Sequence, residues 1–242
     1  MSDKRLDVLA VTAHPDDAEL ICGGTLIRCV DAGYRVGALE LTGGESGSRG
    51  DAGRRAREAE AAAEVMGLAV RESLGLPDAH LVDSVENRFK LAQAIRRLGP
   101  RVLILHNNES WRHPDHGVAV ALGRAAAFLA GLKMLPGEGE PRRPEKILYC
   151  QAYVEHPGKP SFVVDISDQF ERKLEAVMCF ASQFEGKTEA GELFPNGQNL
   201  PELIRTRCAH YGTWIRAAYG EPFFVNETLE VQDIVKMGVK SI

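Results

Sequence analysis

No two of the five cysteines (Cys22, Cys29, Cys150, Cys179 and Cys208) stand in a Cys-x-x-Cys pair, and their number is odd. That excludes zinc-finger spacing and a disulfide framework, and suits buried thiols in a reducing cytoplasm. Long apolar runs are missing as well: no window could span a bilayer, and Met1-Ser2-Asp3-Lys4-Arg5 leads only into a short apolar stretch, not a signal peptide. Basic charge is in deficit, with 29 Lys and Arg against 34 Asp and Glu and a net charge of −5, so no nucleic-acid or membrane surface is expected. The dinucleotide fingerprint Gly-x-Gly-x-x-Gly is absent after the first apolar run. The Gly-rich stretch from Gly43 to Gly53 lacks the Gly-Lys-Ser/Thr ending of a phosphate loop. An NAD enzyme and a nucleotide-phosphate enzyme are both excluded on these grounds.

What is present is a regular alternation of strand and helix signals. Residues 6–13 read as a strand and 17–32 as an amphipathic helix stopped by Gly33. Val36 to Thr42 reads as a strand, Arg54 to Met66 as a helix with a solvated charged face, and 69–74 as a short strand. Val85 to Leu98 is a helix ended by Gly99-Pro100, Val102 to Leu105 a strand, and His116 to Ala130 a helix. Further on, Lys146 to Ala152 and Ser161 to Ile166 read as strands. Asp168 and Glu171 pair as a helix start for a helix running to about Ser182, and a long helix covers Leu200 to Tyr219. The segments 131–144 and 183–199 read as loops, available as a lid or as contact surface. This order predicts one α/β domain over 1–242: a Rossmann-like three-layer sandwich with a mostly parallel central sheet.

The chemistry is concentrated in two clusters. His14-Pro15-Asp16-Asp17 follows the first strand, and His113-Pro114-Asp115-His116 follows the strand from Val102. Ligands of parallel α/β sheets bind outside the carboxyl ends of the strands, so both clusters point to one sheet edge. Together they offer His14, His116 and one of the aspartates as a two-His, one-carboxylate metal set with a position open for water. The other carboxylate is then free to act as general base, and His113 to stabilise an oxyanion or supply a proton. Helix capping by Asp17 or Asp115 is the plainer alternative for either cluster alone. Spacing does not choose between Asp16 and Asp17 as ligand. Two His and a carboxylate suit Zn²⁺, and also Fe²⁺ or other divalent ions.

Ala13-His14-Pro15-Asp16-Asp17-Ala18-Glu19 resembles the opening signature of the LmbE-like, or PIG-L-like, zinc-dependent N-acetylglucosamine (GlcNAc) deacetylases, and His113-Pro114-Asp115-His116 resembles the second signature. Thr42 to Gly50, Leu76-Pro77-Asp78, Val163 to Ser167, Ser182-Gln183-Phe184 and Tyr219 to Phe223 resemble the bacillithiol branch, whose substrate is N-acetylglucosaminyl malate. The resemblance implies that His14, Asp17 and His116 hold zinc, Asp16 is the general base, and His113 steadies the oxyanion or helps protonate the leaving amine. It leaves Glu19 as open to a helix-start role as to a functional one. Relatives with a Tyr just before the second signature use it as proton donor; Trp111 and Arg112 stand there in this chain, so donation falls to His113 or Asp16.

A malyl substrate carries carboxylates, and Arg49 and Arg112 are the cations expected to bind it, with Arg54 and Arg55 further candidates near the loop's end. Tyr211, Trp214 and Tyr219 read as core before sugar platform. The resemblance further implies a homo-oligomer acting on a small-molecule GlcNAc conjugate. Alternatives are deacetylation of another GlcNAc glycoside, a chitooligosaccharide or an antibiotic precursor, and a metal-binding module without turnover. The spare carboxylate argues against the last, since simple binding has no need of a base.

Overall fold

The computed structural model describes residues 5–47, 51–107, 113–137, 139–151, 158–184 and 199–239. Its centre is a seven-stranded sheet in the order β3-β2-β1-β4-β5-β7-β6. The strands are β1 (Val8–Thr12), β2 (Val36–Thr42), β3 (Val70–Leu76), β4 (Val102–His106), β5 (Lys146–Cys150), β6 (Phe162–Asp165) and β7 (Gly220–Phe224). The first five pair in parallel; β7 lies antiparallel between β5 and β6. The helices are α1 (Asp17–Asp31), α2 (Ala52–Met66), α3 (Val85–Leu98), α4 (Pro114–Ala130), α5 (Phe170–Met178), α6 (Ala181–Phe184) and α7 (Leu200–Ile215).

Alternation along the strands sorts the core into two layers. Leu9 and Val11 of β1, Leu39 and Leu41 of β2, and Leu103 and Leu105 of β4 pack with Leu91 and Ile95 of α3 and Leu122 of α4. Their neighbours Val8, Ala10, Val36, Ala38 and Ile104 pack with Ile21 and Leu26 of α1, Ala62 of α2 and Ala176 of α5. Both faces are thus covered, and the chemistry is left to the strand ends. A third cluster, built on Ile166, Phe170, Leu174 and Ile204, joins α5 to α7. Among the described residues no helix is long and apolar enough to cross a membrane.

Several boundaries differ from the sequence reading for identifiable reasons. The helix over 17–32 breaks at Cys22 (φ −148°, ψ 17°), because side chains from other elements enter its hydrogen-bond ladder. The expected start at Asp168 is replaced by Gln169, which makes no side-chain cap, and the helix expected to reach Ser182 is divided into α5 and α6. The helix expected to reach Tyr219 ends at Ile215 because Arg216 turns left-handed (φ 62°), and Gly220–Phe224 then enters the sheet as β7. Gly24 permits close packing: a Cβ there would lie 2.7 Å from Ile166 Cδ1.

Candidate active site

His14 and Asp17 follow β1, and His113 and His116 flank the start of α4 after β4; the parallel pairing of these neighbouring strands brings the two clusters to one edge. A cleft of about 250 Å³ there is lined by His14, Asp16, Asp17, His113, His116, Asp78, Arg55, Ser46 and Gln183, among others. Asp17 is the hub. Its Oδ2 lies 3.3 Å from His14 Nδ1 and 3.3 Å from His106 Nε2, and its Oδ1 lies 3.3 Å from His116 Nε2. It also accepts the His14 amide at 2.8 Å. Burial alone would raise its pKa, but His116 and His106 outweigh that and hold it well below the usual carboxylate range.

Asp16 is placed differently. It precedes α1 in the left-handed region (φ 97°), makes no side-chain cap, and faces Arg55 Nη2 at 3.8 Å. A non-glycine residue at positive φ is strained and persists only where its surroundings hold it. Arg55 does this from α2, donating to the Gly44 carbonyl at 2.6 Å and the Pro15 carbonyl at 3.1 Å. Burial and the neighbouring Asp17 charge push Asp16 up to about 7. Of two adjacent carboxylates, one is therefore held ionised and the other poised near neutrality.

His113 caps α4: its Nδ1 accepts the Asp115 amide at 3.3 Å, so the capping weighed from sequence for Asp115 falls to His113, which also lines the cleft. Burial, then the charges of His14 and His116, lower its pKa and favour the neutral ring. With Nδ1 accepting, the neutral ring carries its proton on Nε2. Its centroid lies 4.7 Å from that of His14 and 5.1 Å from that of His116.

Two side chains that sequence reasoning did not place at the site, His106 and Asp78, are here beside Asp115 of the second cluster. His106, at the end of β4 one residue past the expected strand, is fully buried and stacks on His116 at 4.3 Å. Asp78 lies 3.1 Å from His14 Nε2 and accepts the amides of Ser46 and Ala79, both at 2.8 Å. Asp115 Oδ2 is 3.4 Å from the same imidazole nitrogen. The Leu76-Pro77-Asp78 motif was the only signal for Asp78; for His106 there was none beyond its being a polar residue at a strand end. Burial alone would depress His14, but Asp17 and Asp78 reverse this and push it up to about 10. Glu19 resolves as a buried partner of Arg71, which also reaches Glu40 Oε1 at 2.8 Å. Tyr211 is buried and Tyr219 stacks on Phe170, whereas Trp214 is exposed. Arg49 and Arg112 lie outside the described residues.

Three overlapping groups could hold a cation: His14, His113 and His116; Asp17, His106 and His116; and His14, Asp78 and Asp115. Asp17 meets His14 and His116 through different oxygens, each at 3.3 Å. Zn–N and Zn–O bonds of about 2.0–2.2 Å place neighbouring tetrahedral ligands about 3.3 Å apart, which is the spacing within each of these two pairs, although His14, Asp17 and His116 together are not one of the three groups. Asp78 on the other nitrogen of His14 matches the carboxylate–histidine pairing that orients a ligand ring.

The family model for GlcNAc-PI de-N-acetylase matches residues 9–127, a span holding both clusters. The chain is 32% identical to a diacetylchitobiose deacetylase of Thermococcus kodakarensis, over 88% of this chain and 80% of that one. It is 31% identical to a probable N-acetyl-alpha-D-glucosaminyl L-malate deacetylase 2 of Bacillus cereus, over 75% and 86%, and 27% identical to a 4-oxalmesaconate hydratase of Pseudomonas putida, over 76% of each. Among solved structures, a conserved protein of Thermus thermophilus superposes with a TM-score of 0.83 at 42% identity, covering 93% of this chain and 97% of that one. With both signatures converging on one cleft of the shared fold, the chain belongs to the PIG-L/LmbE-like deacetylase family.

Proposed function

We propose that this protein is a zinc-dependent hydrolase that removes the acetyl group from a GlcNAc conjugate, with N-acetylglucosaminyl malate as substrate. The observation that carries this reading is the convergence of His14, Asp16 and Asp17 with His113 and His116 on one cleft, where Asp17 lies among the imidazoles and Asp16 faces Arg55. His14, Asp17 and His116 are the ligands in this reading. A bound divalent ion supplies Lewis-acid polarisation of the amide carbonyl and lowers the pKa of water. Asp16 takes the proton of the attacking water, and Arg55 keeps its carboxylate aimed at the cleft. His113 donates from Nε2 to the tetrahedral oxyanion. The proton held by Asp16 passes to the glucosamine nitrogen as the C–N bond breaks, and acetate and a free amine leave. Arg49 and Arg112 serve the malyl carboxylates. The protein acts in the cytoplasm as a homo-oligomer; its five free thiols suit a reducing compartment.

Similarity to the diacetylchitobiose enzyme favours a second reading, with a chitooligosaccharide in place of the malyl conjugate. The test compares acetate release from N-acetylglucosaminyl malate, diacetylchitobiose, a GlcNAc-inositol and free GlcNAc, with and without a chelator. Chelator-sensitive release, fastest from the malyl conjugate, is the expected result. Preference for diacetylchitobiose or the inositol conjugate would sink the malyl assignment. Release from none of them, with hydration of an unsaturated dicarboxylate, would sink deacetylation altogether.

A further inference from the structure

Helix α1 carries Asp17 in its first turn and breaks at Cys22. In an unbroken helix the amides of Gly24 and Thr25 would donate to the carbonyls of Leu20 and Ile21. Here all four groups have partners from other elements. Gly24 N donates to Glu221 Oε1 at 2.9 Å, and Thr25 N and Oγ1 donate to Glu221 Oε2 at 2.7 and 2.6 Å. The Leu20 carbonyl accepts from Lys173 Nζ at 3.0 Å, and the Ile21 carbonyl from Cys150 Sγ at 2.7 Å. Lys173 Nζ and Glu221 Oε1 then meet at 2.6 Å. Glu221 comes from β7, Lys173 from α5 and Cys150 from the end of β5, so the later half of the chain enters the helix that bears the site.

A buried ion pair is an expensive way to fill a core, since apolar residues of the same volume often do as well or better. The placement of this pair supplies a reason for it. The cation sits at the carboxyl end of the first turn and the anion at the amino end of the segment that follows, which are the ends the helix dipole favours for each. We propose that Lys173 and Glu221 are positioning residues: by holding the break in α1 open, they set the orientation of the turn that presents Asp16 and Asp17 to His14 and His116. This inference rests on the proposed role of Asp17 as a metal ligand.

The test measures Zn²⁺ affinity of the full chain by competition with a chromogenic chelator, beside thermal melting. Glu221→Gln and Lys173→Met should each weaken Zn²⁺ binding about 10- to 100-fold, the range for groups that orient ligands. Where substrate turnover is measured, kcat should fall with KM little changed. Met66→Ala, in the core cluster that backs α1 but outside the hydrogen-bonded group at the break, should lower the melting temperature and leave Zn²⁺ affinity unchanged. The double variant Lys173→Met/Glu221→Met strands no charge; it should melt closer to wild type and still bind Zn²⁺ weakly. If these variants do not fold, Cys150→Ala removes the thiol that meets the Ile21 carbonyl at 2.7 Å and the Pro222 carbonyl at 3.1 Å, and Cys150→Ser restores a donor there: weaker binding in the first, recovered in the second, supports the role. Zn²⁺ affinity within twofold of wild type in the double variant, or in Cys150→Ala, overturns it. So does an equal loss of affinity in Met66→Ala. Failure of the wild type itself to bind Zn²⁺ would sink this inference together with the proposed function, whereas tight binding by wild type and variants alike would sink this one alone.

Discussion

Two buried ionic regions adjoin the first turn of α1, and they settle their charge in different ways. Behind the turn, Lys173 meets Glu221 as one cation and one anion, and Glu19 and Glu40 share Arg71. In front of it, Asp16, Asp17, Asp78 and Asp115 face four imidazoles, with Arg55 the guanidinium that approaches Asp16. Buried charge is tolerated when compensated. The rear region is compensated by fixed cations, which makes it a brace. The front region balances its carboxylates against groups that gain or lose protons, and such a set is suited to exchange protons or take up a cation. Strong perturbation marks both regions, since Glu40 and Asp16 are each raised to about 7; their partners, fixed cations behind and imidazoles in front, tell the two apart.

The comparison can be broken at either side, and the largest effect is expected in front. Asp16→Ala should reduce kcat by about 10³-fold, within the usual span for a general base, and retain bound metal. His14→Ala should lose both. Acetate release and metal content, measured on the same samples, decide this; equal metal loss in both variants would erase the distinction between the two parts of the first cluster. Behind the turn, Arg71→Met strands Glu19 and Glu40 and should cost about 3–5 kcal/mol of folding stability in denaturant titration. A cost below about 1 kcal/mol would deny the brace.

The next effect concerns pH. Burial raises Glu40 from 4.5 to about 7 despite Arg71, so between these values the folded state keeps a proton that the unfolded state has released. Stability from this group therefore falls as pH rises through that window, by up to about 3 kcal/mol at 1.36 kcal/mol for each pKa unit. Glu40→Gln should flatten the dependence between pH 4.5 and 7, and an unchanged slope would contradict the assignment. The smallest effect is expected at Asp78→Asn. It keeps the shape but weakens the hold on His14 Nε2, and should lower Zn²⁺ affinity about 10-fold with little loss of stability.

Much of this arrangement could be read before any coordinates. Apolar runs located β1, β2 and β4, and Gly99-Pro100 marked the end of α3, because these signals are local. The two clusters were legible as one site because parallel strands send their carboxyl ends to the same edge. His106 escaped notice since a single histidine at a strand end carries no pattern, and its stacking on His116 depends on β4 and α4 meeting in space. Arg55 read as part of a solvated helix face or as a further substrate cation; only the fold of the Gly43–Gly47 turn against α2 buries it beside Asp16.

By itself, the sequence determined the order of strands and helices, the two signatures, and the chemical types available to the site, all of which follow from residue identity and short-range spacing. Tertiary structure alone decided how adjacent carboxylates differ: Asp17 is drawn down by the imidazoles of His116 on α4 and His106 on β4, and Asp16 is raised by burial and by Asp17 itself. It also decided that α1 breaks, since Lys173 lies 153 residues along the chain from the carbonyl it takes and Glu221 lies 197 from the Gly24 amide. Interactions of that range depend on which surfaces packing brings together, and no local pattern in α1 encodes them.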